Sequence, residues 1–400
     1  VRERSRKIYD AAVAGQTHFA VHREKLVEVA DYVTAVTRAN YPDLQIPFHS
    51  RWGHFQVGPS RDKPVKRLAE LDKALEGLSK EERARAKLDL VIVSVLLDAG
   101  SGPDWKYKDG GETYARSEGL AVASFRMFMA GSFSSAPARR FRADERGLHE
   151  LSLKSLARGF QVTDENPLAG LEGRLGLLQR LAEAVSNDEA RFGGAEQDGV
   201  ARPGHLLDYC LRQAKNGEFP ASALLRAVLD GLGPIWPGRL KLENVSLGDA
   251  WRHPLLGPAD SPDSIIPFHK LSQWLTYSLV EPIEECGLKI TGVEELTALP
   301  EYRNGGLLLD RGLISLRDPK LAEQAHRADS ELVVEWRALT IVLIEELAAL
   351  VRKSLGKTEA ELPLARVLEG GTWWAGRKAA AELRPGGGPP LRIESDGTVF

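Results

Sequence analysis

Cysteine is nearly absent from this chain: Cys210 and Cys286 are the only two in 400 residues. With no CxxC pair and no Cys/His spacing of a zinc site, neither a disulfide framework nor a structural zinc organises the fold. Both thiols sit in helix-like apolar surroundings and are expected to be buried and reduced. No apolar run reaches the ~18 residues expected of a membrane span. No secretory signal is visible either, so a cytoplasmic protein is the expectation. An excess of one charge is also lacking. The net charge of -3 gives no reason to expect nucleic acid or an acidic membrane as partner. Strict alternation of apolar and polar residues is confined to short pieces such as 391–393, which leaves little room for sheets.

What is present is a helical period. Residues 331–353 place Leu332, Trp336, Leu339, Leu343, Leu347 and Leu350 on one stripe, with Ser330 as N-cap and Gly356 as terminator. Residues 88–97 are apolar nearly all round, and the helix-forming lead-in from Glu81 to Lys87 favours a buried helix over a strand. A third helix is expected over 117–131. A fourth is expected from Pro267, with Pro in its first turn and a kink or restart at Pro282. Thr291 to Glu294 reads as a capping box opening a short helix. The segment 192–203 is the expected exposed loop, and Pro385 to Pro390 a break. The fold class is therefore all-α, with long Pro/Gly-rich loops, as one catalytic unit over residues 1–400 or as two helical lobes with a cleft between them.

Polar and aromatic residues gather in loop-like clusters, and Gly-rich loops carrying Trp and charge suit a pocket. Lys270 and Glu301 stand out, 31 positions apart, each at a helix start just after a proline. Lys is unfavourable at a helix start, because the helix dipole prefers anions there. A lysine and a carboxylate aimed at one place is a hydrolase-like arrangement. The tetrapeptide Ile46-Pro47-Phe48-His49 recurs as Ile266-Pro267-Phe268-His269, delivering two histidines. His49, His54, His253 and His269 form no HxH or HExxH spacing, so a metal role has no specific motif behind it. Gly370-Gly371-Thr372 is a weak phosphate-cradle signal, and Glu335 and Arg337 suit a buried ion pair to a neighbouring helix.

The strings IPFHSRWGHF, LLDAGSGPDWKY, RSEGLAVASF, LGDAWRHP, PFHKLSQWLTYSL, LPEYRNGGLLLD, SELVVEWRALT and LEGGTWWAGR resemble the uracil-catabolism family four proteins of fungi and bacteria, along nearly the whole chain. Gly53 departs from the family pattern, where a second Arg is expected. The resemblance implies a step in uracil degradation through ribosylurea-type intermediates that release urea. A fainter similarity, in the order of elements, is to queuosine-salvage nucleosidases, which are all-helical and share the helix-hairpin-helix glycosylase fold. There an Asp precedes Tyr-Arg where this chain has Glu301, and a Lys matches Lys270. That similarity implies a two-lobed, glycosylase-like helical fold.

Together these readings point to an N-glycosidase with a small nucleoside-like substrate and no cofactor. Cleavage at an anomeric carbon needs a carboxylate beneath it, assigned to Glu301, with Lys270 keeping it ionised. His269, His49 or Asp104 would protonate the leaving urea nitrogen. The expected binding residues are His49, Arg51, His54, Asp104, Trp105, Tyr107, Glu118, Arg252, His253, Tyr302 and Arg303. Two other function classes stay open: a metal-dependent ureide or amide hydrolase using the histidines, and a non-enzymatic binding protein for a pyrimidine metabolite.

Overall fold

The 331–353 stripe forms the helix Glu331–Leu355 in the computed structural model, and its ends are set as the sequence predicts. The Ser330 side chain accepts from the Val333 N–H, and Gly356 closes the helix in the left-handed conformation. The structure describes residues 1–58, 63–98, 100–102, 104–194, 199–236 and 240–394. The chain divides into two compact units. The first is Val1–His49 with Gly238–Gln273 and Glu294–Phe400; the second is Ser50–Pro237 with Trp274–Val293.

In the first unit the long helix is buried along almost its whole length and packs against the helices Arg2–Val13 and Leu26–Asn40. Trp336 is its largest anchor. Its indole N–H donates to the Gly305 carbonyl at 3.0 Å, and a Cβ on Gly305 would stand 2.8 Å from the ring. The absence of a side chain at Gly305 thus lets the helix Tyr302–Asp310 lie directly on the indole. The same helix packs against Trp373–Leu383, where a Cβ on Gly376 would meet the Arg303 carbonyl.

The second unit is built on Lys80–Leu96, capped by Ser79 and buried from Leu88 onward, as the 88–97 run predicts. It packs against Arg116–Met129. Two thiols were expected in the interior; Cys210 is buried, whereas Cys286 is partly exposed.

The fold is mostly helical, but not all-α. Six two-stranded ladders occur among the described residues. Each strand is two to four residues long, too short for alternation to register. Lys106–Asp109 and Glu112–Ala115 form a hairpin across Gly110-Gly111, both at positive φ, a turn that Asp-Gly-Gly favours. The expected loop 192–203 is largely interior at its ends. Phe192 and Arg202 are fully buried, and Arg202 pairs with Asp89 and Glu82, each at 2.7 Å; residues 195–198 lie outside the described residues. Pro267 does not open a helix. Ile265–Pro267 is a strand paired antiparallel with Ala250–Arg252, and the helix begins at Lys270 and runs to Glu285 with Pro282 inside it. Thr291 ends a strand, and the short helix after it is a single 3-10 turn, Val293–Glu295. The break expected from Pro385 is a 3-10 turn, Pro385–Gly387, and Arg392–Glu394 pairs in parallel with Ala325–Arg327. The tail 395–400 lies outside the described residues.

Candidate active site

Glu301 is the N-cap of Tyr302–Asp310, not a residue of its first turn. One carboxylate oxygen accepts the Arg303 N–H at 2.6 Å and the other the Asn304 N–H at 2.7 Å. A carboxylate offers about four acceptor sites, so this cap uses half of them. Glu301 is 8% exposed. Burial pushes its carboxyl above the usual glutamate range, against the pull of the two backbone N–H groups and the positive charges of Lys270 and His49. Lys270 lies within electrostatic reach of the carboxylate.

The start of the Lys270 helix is fixed from outside it. The Asp249 carbonyl accepts the N–H groups of Phe268 and His269, and its carboxylate accepts that of Lys270 at 3.0 Å. Arg337 forks onto the same carboxylate at 2.6 and 2.7 Å, and the Trp251 indole N–H adds a bond at 2.7 Å. Arg337 also stacks on Phe268, 4.2 Å from the ring centre. Its partner is thus a residue ahead of a strand, not a neighbouring helix. His269 adopts φ 50, a left-handed conformation uncommon for a residue with a side chain. Burial holds its imidazole below the usual range, with Asp249 opposing.

The histidines of the IPFH echo differ. His49 is buried, and its Nδ1 pairs with Glu369 at 2.8 Å; the other Glu369 oxygen accepts the Tyr41 hydroxyl at 3.2 Å. A carboxylate on Nδ1 fixes the ring's orientation. Glu369 lies in a π-helical turn, Leu368–Thr372, that leads into Trp373–Leu383, and such turns recur at functional sites. Gly370 and Gly371 serve packing there. Cβ atoms on them would stand 2.7 Å from Ile46 and 2.8 Å from Val33. Trp373 faces His49 at 5.9 Å and meets Trp374 edge-on at 4.9 Å.

Along its whole length, residues 1–400, the chain matches the family model described as "Protein of unknown function (DUF1688)". The chain belongs to this family. It is 41% identical over 413 residues to "Protein urg3" of Schizosaccharomyces pombe, covering all of this chain and 96% of that protein. It is 38% identical over 437 residues to "Uracil catabolism protein 4" of Lachancea kluyveri, covering all of this chain and 97% of that one.

The remaining expected site residues of this family member fall into three groups. Beside Glu301, Tyr302 is half-buried, and Arg303 stacks on it while donating to the Gly387 carbonyl at 2.8 Å. Elsewhere in the first unit, Arg252 donates to Ser264 and the Ser261 carbonyl, and buried His253 lies 3.4 Å from Glu335, which also holds His18 at 2.9 Å. In the second unit, Arg51 is fully buried, paired with Asp98 at 2.9 Å, bonded to Ser94 and within the field of Glu118. There His54 meets Trp274 edge-on, Trp105 donates to the Phe160 carbonyl from the core, Tyr107 is buried beside it, and Asp104 is exposed. Among the described residues no three His, Cys, Asp or Glu side chains are gathered as a metal-binding group. Sequence reasoning missed Asp249; Glu369 stood at the head of the Gly-rich, Trp-bearing cluster 369–374, but its pairing with His49 was not legible. Both stood inside quoted strings, LGDAWRHP and LEGGTWWAGR, but their partners are 88 and 320 residues away.

Proposed function

We propose that the chain is an N-glycosidase that hydrolyses a ribosylurea-type compound to urea and a ribose sugar. The observation that carries this reading is Glu301: a nearly buried carboxylate held by two backbone N–H groups, with acceptor sites to spare and with Lys270 and His49 in its field. Hydrolysis at an anomeric carbon passes through an oxocarbenium-like state that a carboxylate stabilises. In the proposed reaction the bond from C1 to the urea nitrogen breaks and one from C1 to a water oxygen forms. Glu301 takes the proton from that water. A carboxyl raised by burial is a better base near neutral pH than an ordinary glutamate. Lys270 favours its ionised form.

The leaving nitrogen needs a proton. His49 is the preferred donor over His269, because Glu369 orients its ring from 2.8 Å, whereas burial disfavours a charged His269. Trp373 stands beside the proposed donor, its ring centre 5.9 Å from that of His49. The name of the Lachancea kluyveri relative supports a uracil-derived substrate.

The test is a product assay on synthetic ribosylurea and its 5′-phosphate, reading sugar and urea separately. Equal release of both supports the proposal, and the preferred compound shows whether a phosphate is required. Release of ammonia instead would favour an amide hydrolase. Thermal stabilisation by the compound without turnover would favour a binding protein.

A further inference from the structure

Four hydrogen bonds and an ion pair join at one residue that the proposed chemistry does not use, two of the bonds at its main-chain carbonyl and the rest at its carboxylate. Asp249 lies just ahead of the strand Ala250–Arg252. Its main-chain carbonyl holds the N–H groups of Phe268 and His269, and its carboxylate holds the Lys270 N–H. The three residues that set the direction of the Lys270 side chain thus all hang on Asp249. The same carboxylate is gripped at both oxygens by Arg337, whose Nε reaches the Pro300 carbonyl at 3.4 Å, one residue before Glu301. A fork of this kind fixes angle as well as distance. His269, held at φ 50 between these bonds, shows that the junction is clamped in a conformation it would not adopt unaided.

We infer that Asp249 is a positioning residue, which through Arg337 and the Lys270 main chain sets the separation between the Lys270 ammonium and the Glu301 carboxylate. It touches neither the carboxylate nor a reacting atom. The inference rests on the proposed roles of Lys270 and Glu301, and its test is separable from them. The groups acting on Glu301 are Lys270, His49 and the N–H groups of Arg303 and Asn304. Those acting on Asp249 are Arg337, the Lys270 N–H and Trp251. If Lys270 drifts away, Glu301 loses a positive neighbour and its protonation midpoint moves up.

The experiment compares the full chain with Asp249→Asn, which is isosteric and keeps one acceptor for the Lys270 N–H. The readouts are ribosylurea turnover and the titration of the Glu301 carboxyl by 13C NMR, its signal assigned by loss in Glu301→Gln. The expected result is a fall in kcat of about 10²-fold with KM nearly unchanged, since small misplacements carry that cost. The Glu301 midpoint should also rise. A folded Asp249→Asn chain with unchanged kcat and unchanged titration overturns the inference, leaving Asp249 only a packing role. If the parent chain does not hydrolyse ribosylurea, the glycosidase reading fails, and the titration alone decides this one: a rise supports it and no movement overturns it. If Asp249→Asn does not fold, Arg337→Lys replaces it. That change keeps the charge but removes the fork, and the same rise or its absence decides.

Discussion

Asp249 and Glu301 are both buried carboxylates, both capture N–H groups at a helix start, and their environments push them in opposite directions. Burial alone would raise Asp249, but the Arg337 guanidinium, the Lys270 N–H and Trp251 overcome it and hold the group well below the usual range. Glu301 receives backbone dipoles and the charges of Lys270 and His49 at a remove, and burial wins. The difference is a bidentate arginine. A carboxylate whose oxygens are gripped by a guanidinium is a strut, fixed in its charge and its place. One held by two amides keeps acceptor sites open and an adjustable proton.

Breaking the strut should have the largest effect. Asp249→Asn leaves Arg337 buried without its partner and should cost about 3–5 kcal/mol of stability. Glu301→Gln keeps an acceptor for one N–H, removes a buried charge, and should stay within about 1 kcal/mol. Denaturant melts of the two variants check this contrast, and equal losses would erase it. Next, Lys270→Met should lower turnover by about 10²–10³-fold, the scale of removing one electrostatic partner. The acid limb of its pH–rate profile should move to higher pH, since Lys270 holds Glu301 down. A limb that stays in place would separate the two residues. Glu369→Gln should cost less, roughly 10–100-fold, by loosening the His49 ring without removing it. The smallest effect is in the stability curve. A depressed Asp249 contributes stability fully present above its unfolded pKa of about 3.9 and lost as pH falls below it. Melting points of the parent should therefore drop below about pH 4 more steeply than those of Asp249→Asn.

The long helix, its Ser330 cap and its Gly356 terminator were legible because each depends on residues within a turn of one another. So was the buried helix from Lys80. Most of the ladders were not, since strands of two to four residues carry little pattern and most are chosen by partners far along the chain. Pro267 misled for the same reason. Its fixed φ suits a helix start or a strand end equally, and pairing with Ala250 chose the strand. At the candidate site, Lys270 and Glu301 were visible as charges at helix boundaries. What holds Lys270 was invisible, because Asp249 reads as an ordinary acidic residue until Arg337 is folded against it; Glu369 stood in a Gly-rich, Trp-bearing cluster, but its partner His49 lies 320 residues away.

The most direct measurement is release of urea from ribosylurea, or from its 5′-phosphate, by the parent chain and by Glu301→Gln at equal folded concentration. A carboxylate acting on the attacking water predicts a loss of about 10²–10⁴-fold with the melting point nearly unchanged. Urea released by the folded variant at close to the parent rate would contradict it.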